Sequence, residues 1–244
     1  MEIDSAQWRQ TVREGALALG LKVSPEQARL MGRHAKELLH WNRTINLTAI
    51  NDPLEMAVKH YVDALASASW IPVGARMLDA GSGGGFPGVP LKILRPDLSV
   101  TLVDSVRKKV SFLKHAIRTL ELKGIDAVHG RLEDLGNGSP YQGKYDQVVC
   151  RAFAALDDFV RLTLPFLSAG GSLLALKGRD PGVDPVNANG GIINLHAISL
   201  AIQIHRYRLP LLNAERCLVR LTPTAAPRPG NDCPQKPPSP QPTQ

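Results

Sequence analysis

Residues 78–88 read LDAGSGGGFPG, with glycine at 81, 83, 84, 85 and 88, directly after an apolar start at Met77. A glycine cluster can be flexible filler, a tight turn, or a place where the main chain must come close to something else. Its position decides. Met77 to Ala80 reads as a short buried strand and Val89 to Leu94 as a helix, so the glycines occupy a strand-to-helix turn. Without Cβ atoms, backbone amides there can approach a ligand, and the helix start adds partial positive charge.

The same alternation continues toward the C-terminus. Ser99–Asp104, Ile125–His129, Tyr145–Arg151 and Ser172–Lys177 read as further strands. Val106, Val110, Leu113, Ile117 and Leu120 form a helical stripe between the second and third, and Asp157 to Leu167 reads as helix between the fourth and fifth. Strands alternating with helices predict a parallel sheet covered on both faces. Ala201–Leu209 and Glu215–Leu221 differ, because the link between them is too short for a crossover and requires antiparallel pairing. The expected class is therefore α/β, with a mostly parallel sheet ending in an antiparallel hairpin.

Residues 1–70 predict a small helical cap. Ser24-Pro25-Glu26-Gln27 supplies an N-cap, a proline in the first turn and a returning Gln, followed by Ala28, Met31, Ala35, Leu38 and Leu39 at helical spacing. Asp52-Pro53-Leu54-Glu55 repeats that logic ahead of Leu54, Ala57, Val58, Tyr61, Val62 and Leu65, and Trp8, Val12, Ala16 and Leu19 mark an earlier helix. The main domain spans 71–221. Residues 178–195 read as a long functional loop, and 222–244, with 8 prolines in 23 residues, as a disordered tail whose removal after Leu221 leaves activity intact.

The chain of 244 residues is 43% hydrophobic, and no stretch approaches the roughly 18 apolar residues that a membrane helix needs. With no signal-peptide core in Met1–Gly20, a cytoplasmic protein is expected. Cys150, Cys217 and Cys233 lack metal-site spacing and read as reduced structural thiols. The net charge of +7 is uneven: residues 1–70 hold 8 Lys/Arg and 8 Asp/Glu, whereas 71–221 hold 19 against 13. A polyanionic partner for the sheet domain is expected.

Gly83, Gly85 and Gly88 satisfy G-x-G-x-x-G, so an NAD-dependent oxidoreductase has to be weighed. Asp104, ending the second strand, suits the two ribose hydroxyls of any adenosine-bearing cofactor. Asp79, two residues before Gly81, stands where a dehydrogenase usually has an apolar residue. A carboxylate there organises the turn and favours a cationic ligand over a pyrophosphate. Together with the closing hairpin, it points to S-adenosylmethionine rather than NAD.

The stretches NRTINLTAINDPLEMAVKHYVDAL (42–65), MLDAGSGGGFPGVPLKI (77–93), TLVDSVRKKVSFL (101–113), GRLEDL (130–135), YDQVVCRAF (145–153), ALKG (175–178) and LPLLNAERCLVRL (209–221) resemble the ribosomal RNA small-subunit methyltransferase G family, also called GidB. The resemblance implies a class I, Rossmann-like methyltransferase that passes a methyl group from S-adenosylmethionine to N7 of a guanine in 16S rRNA near the decoding centre. It carries the family's cofactor contacts onto Gly81, Phe86, Leu132, Glu133 and Arg151, with Asp104 joining from the ribose argument. Asn42, Asn46, His60 and Asp63 also match family positions, without a role that the sequence supplies.

Guanine N7 has an exposed lone pair, so its attack on a sulfonium methyl needs no deprotonation, and no general base is assigned. Lys177, at the end of the fifth strand, suits a phosphate or the guanine edge. Amino-group methylases of this fold carry Asn/Asp-Pro-Pro-aromatic where this chain has Cys150-Arg151-Ala152-Phe153, and Cys150 follows Val149 rather than the proline usual before a pyrimidine-attacking cysteine. Arg107, Lys114 and Arg118 share a helix face, and Arg33, Arg43, Lys59 and His60 of the cap are candidates to shape an RNA cleft. The expected partner is 16S rRNA or the assembling small subunit, met by a monomer without metal. The other readings are the oxidoreductase and a non-enzymatic RNA-binding assembly protein.

Overall fold

The computed structural model describes residues 1–151, 155–182, 191–195 and 198–224. Ala152 and Phe153, Cys233, residues 183–190 of the expected 178–195 loop and nearly all of the proline-rich tail lie outside the described residues. Eight strands form one sheet: β1 (Arg76–Ala80), β2 (Ser99–Asp104), β3 (Ile125–His129), β4 (Tyr145–Arg151), β5 (Leu167–Lys177), β6 (Ile192–Leu195), β7 (Ile198–Leu209) and β8 (Ala214–Pro223). Their order is β3-β2-β1-β4-β5-β8-β7-β6. The first five are parallel; β8 runs antiparallel to β5, and β7 antiparallel to β8, with Leu209 opposite Ala214.

Short apolar strands that leave two or three residues per face were readable in sequence, and β2, β3 and β4 have the expected bounds. β5 starts five residues earlier than expected, because Leu167 to Gly171 continue the strand past an irregularity at Tyr145/Gln147. β6 was read as loop: its four residues follow two glycines, and Ile193 is buried while Ile192 is exposed. β8 runs two residues beyond Leu221, pairing Thr222 with Ala201 and Pro223 with Leu200, and Thr224 N–H donates to Ser199 O. β8 therefore includes Thr222 and Pro223, which were read as the start of the tail.

The cap comprises α1 (Ala6–Ala18), α2 (Pro25–Asn42), α3 (Pro53–Met56), a π-helical turn (Ala57–Val62) and α4 (Asp63–Leu65). Ser24 and Gln27 form the expected capping box. Asp52 accepts from Glu55 N–H, but the Glu55 carboxylate pairs with Lys59 at 2.5 Å instead of returning to the cap. Residues 53–65 were expected to be an amphipathic helix. Instead Leu54 is exposed, and every residue from Ala57 to Leu65 except Lys59 is buried. A segment packed on all sides loses the one-faced pattern from which an amphipathic helix is read.

The remaining helices are α5 (Gly88–Leu94), α6 (Arg107–Thr119), α7 (Leu132–Leu135) and α8 (Leu156–Thr163). Leu164 to Phe166 form a 3-10 turn into β5, where helix was expected to Leu167. Trp8, Met31, Leu38 and Tyr61 of the cap share one core with Leu91 of α5, Phe112 and Leu113 of α6, and Met77, Val149, Leu174 and Leu218 of the sheet. Leu78, Val148, Leu173 and Val219 meet Leu156, Phe159 and Phe166 on the opposite face.

The end of β8 makes a truncation test specific. Ending the chain after Leu221 removes the last registers against β7, each backbone hydrogen bond contributing about 1 kcal/mol. A chain ended after Thr224 is expected to show the higher urea midpoint of the two.

Candidate functional site

Strand order reverses between β1 and β4, and in an open α/β sheet ligands bind outside the carboxyl ends of the strands at such a switch point. Period-two alternation decides which side chains reach it from beneath the cap. Met77 and Val149 enter the cap-facing core, so Asp79 and Arg151, two residues further along each strand, lie on that same side. Leu78, Ala80, Val148 and Cys150 point the other way.

The glycine loop folds back on the sheet. Gly81 and Ser82 donate their N–H groups to Val103 O at 2.9 and 3.0 Å, and Gly85 N–H donates to Ser82 O. Gly81, Gly83 and Gly85 have positive φ, the backbone region that favours glycine. Gly88 is needed for a different reason: a Cβ there would stand 2.3 Å from Leu102 Cδ2 and 2.7 Å from Asp79 Oδ2. Gly84 likewise gives way to packing, since its Cβ would meet Leu38 Cδ1 of α2 at 2.7 Å. Three of the five glycines thus admit neighbouring protein atoms, since a Cβ on Gly85 would also stand 2.8 Å from Val89 Cγ2.

Asp79 organises the turn as expected, with Oδ2 accepting from Gly88 N–H at 2.8 Å. Its Oδ1 is buried with no hydrogen-bond partner among the described residues. Burial pushes the carboxyl up to about 7, against the pull of the Gly88 amide and the Arg151 charge. Asp104 ends β2 with Oδ2 accepting from Gly83 N–H at 2.9 Å and Oδ1 from Val106 N–H at 2.8 Å. That carboxylate ties the loop to the start of α6, and each oxygen keeps acceptor capacity.

Leu132 and Glu133 follow β3 in the first turn of α7. The Leu132 side chain is buried, so only its main chain faces the edge, while Glu133 is exposed. Lys177 ends β5 opposite Cys217 and is partly exposed. Phe86 is 4% exposed: its ring stacks on His60 at 4.5 Å, meets His34 and Tyr61 edge-on, and lies 4.8 Å from the Arg151 guanidinium carbon. The phenyl ring therefore faces the cap, and only the Phe86 main chain can serve a ligand at the loop.

Arg151 donates to Lys59 O at 3.0 Å and to His60 Nδ1 at 2.8 Å. A guanidinium only donates, so Nδ1 accepts and the imidazole proton stays on Nε2, which donates to Thr48 Oγ1 at 2.7 Å. Burial, reinforced by the Arg151 charge, pushes His60 down to about 3 and keeps it neutral. Thr48 is held in turn: Asn42 Oδ1 accepts from Leu47 and Thr48 N–H, and Asn42 Nδ2 donates to Thr48 O. Asp63 accepts from the Tyr207 hydroxyl at 2.8 Å and faces Arg216 Nε at 3.5 Å. His34, buried by the loop and also pushed down to about 3 by burial, bonds Tyr61 through Nδ1.

Three residues expected at an RNA cleft have other employment. Arg33 bonds Thr119 O, Lys59 pairs with Glu55, and His60 is buried and neutral. Arg107, Lys114 and Arg118 are exposed on α6 as expected. The Cys150 thiol is buried on the far side of β4, which excludes the nucleophile reading, and Cys217 donates to Gly178 O.

The edge fits the adenosine and methionine ends of S-adenosylmethionine. It offers a main-chain cradle, a ribose-type carboxylate, a buried carboxylate oxygen with no partner and a guanidinium with N–H groups to spare.

Asp79 has a pH consequence. The folded state keeps a proton that the unfolded chain, with an ordinary value of 3.8, has released, so stability falls as pH rises between about 4 and 7. Asp79→Asn is expected to be more stable than the wild type at pH 8, with a ceiling of roughly 4 kcal/mol, and indistinguishable near pH 4. Urea denaturation at the two pH values measures it. The same variant is expected to bind S-adenosylhomocysteine more weakly.

The profile of the GidB family, rRNA small subunit methyltransferase G, matches residues 27–207. The chain is 38% identical over 210 residues to the Ribosomal RNA small subunit methyltransferase G of Geobacter sulfurreducens, covering 86% of this chain and 95% of that one. It is 42% identical over 205 residues to the protein of that name from Geotalea uraniireducens, covering 84% and 92%. Among solved structures, an O-methyltransferase from Bacillus cereus in complex with SAH shares the fold, at TM-score 0.51 and 14% identity over 78% of this chain and 90% of that one. The chain belongs to the rRNA small subunit methyltransferase G family and is an S-adenosylmethionine-dependent methyltransferase.

Proposed function

We propose that the protein methylates N7 of a guanine in 16S rRNA near the decoding centre, acting as a cytoplasmic monomer on the rRNA or the assembling small subunit. One observation carries the choice of N7. Among the described residues, no titratable side chain beneath the cap at the switch point is an exposed base. His60 is neutral and bonded through both ring nitrogens, Asp63 holds Tyr207, and the two groups that keep an unpartnered atom, His34 Nε2 and Asp79 Oδ1, are buried beneath the glycine loop. A site without an exposed base suits an acceptor with its own lone pair, for which alignment alone can contribute several kcal/mol, up to ~7–11 in ideal cases.

S-adenosylmethionine supplies an electrophilic methyl carbon on a sulfonium. The chain's part is to hold and aim. Asp104 takes the ribose hydroxyls; the main chain at Gly81, Phe86 and Leu132, with Glu133, lines the adenosine side. Arg151 takes the methionine carboxylate with the N–H groups left beyond its two cap bonds. Lys177 and the exposed basic face of α6 meet RNA phosphates.

Asp104→Ala is expected to weaken S-adenosylhomocysteine binding at least about tenfold in calorimetry, since it removes charge-assisted bonds to both ligand and loop. NADH is expected to show no saturable binding in the same cell. For the acceptor, deletion of the gene followed by mass mapping of 16S rRNA is expected to erase one 7-methylguanosine. Persistence of every 7-methylguanosine would remove the N7 assignment.

A further inference from the structure

Arg151 is the only described side chain at the end of β4, and nothing in the sheet fixes its head group. A long guanidinium stem at a strand end samples several rotamers, and each one fixed costs entropy when a ligand binds. Here the cap fixes it from two sides. One N–H donates to Lys59 O in the π-helical turn, and another to His60 Nδ1. The turn carrying both acceptors is buried against α1 and the sheet core, so neither can follow the guanidinium if it swings. Single π turns inside α-helices recur at functional sites.

The acceptor is itself held in one state. His60 is clamped by Thr48 Oγ1 on its far nitrogen and by the Phe86 ring on its face, and Thr48 is clamped by Asn42. The chain of bonds Asn42, Thr48, His60, Arg151 therefore runs from the end of α2, through the loop after it, to the sheet edge. We propose that His60 is a positioning residue: as a neutral acceptor held by Thr48, it presets the Arg151 guanidinium for the carboxylate of the methionine moiety, which makes the helical cap part of the cofactor site. This rests on the assignment of Arg151 to that carboxylate.

Geometry supplies a test that separates positioning from bulk structure. An asparagine at 60 places its amide oxygen where Nδ1 stands, whereas a glutamine places it near Nε2, and both lose the stack on Phe86 equally. S-adenosylhomocysteine carries the same carboxylate and serves as the probe, with thermal melting run on every variant of the full chain. His60→Gln is expected to bind it roughly tenfold more weakly, the loss that follows when a buried charged donor loses its acceptor, and His60→Asn to stay within about threefold of wild type. Arg151→Ala is expected to weaken binding as well, and His60→Gln to add nothing on that background.

Equal losses for Asn and Gln, or a His60→Gln loss that adds in full on Arg151→Ala, overturn the positioning role while leaving Arg151 in the site. An Arg151→Ala variant that binds like wild type overturns the Arg151 assignment and the proposal with it. Should His60→Gln not fold, Thr48→Val releases the ring at Nε2 while keeping His60. A severalfold loss of affinity at an unchanged melting midpoint supports the proposal, and wild-type affinity overturns it.

Discussion

An arginine at the end of a parallel strand has its Cα fixed by the sheet and its charge fixed by nothing, unless a second layer of structure reaches it. In this protein the second layer is a buried helical segment whose main-chain carbonyl and neutral imidazole both face the guanidinium. The arrangement requires His60 to be uncharged, which burial enforces, and requires the proton on Nε2, which Thr48 enforces. It also requires an opposite charge near enough to make a partly buried arginine tolerable. Asp63 provides it from the cap, and Asp79 adds to it from the sheet once it ionises above about pH 7.

The sheet and its ligand edge were legible because their signals are local. Short apolar runs separated by helical stripes define β1 to β4 almost residue by residue, and a short connection makes β7 and β8 antiparallel. Asp104 could be placed from its position at a strand end alone. The glycine loop was legible as a strand-to-helix turn, but not as a packing device: Gly84 and Gly88 are glycine because Leu38, Leu102 and Asp79 occupy the space a side chain would take. Sequence shows a missing Cβ without showing what stands where it would have been.

What sequence could not supply is the cap's share of the site. Residues 57–65 lie in a helical segment buried except at Lys59, where His60 and Asp63 look like polar interruptions of an apolar stretch. Their meaning comes from partners about 90 and 144 positions away, Arg151 and Tyr207. Likewise Asn42 and Thr48 look like loop polarity until their bonds to one another and to His60 are seen. Tertiary hydrogen bonds between distant segments leave no periodicity behind.

The shared core has one further implication. Leu38 and His34 of α2 press against Gly84 and Gly85, and Trp8, Tyr61, Phe86 and Phe112 sit in a single hydrophobic cluster with the central strands. A segment so embedded has no separate melting of its own. The cap cannot open as a lid to admit a ligand without exposing the core that stabilises the sheet, so cofactor exchange has to proceed with the cap in place. Slow amide exchange in α2 should then track global unfolding rather than occupancy of the site.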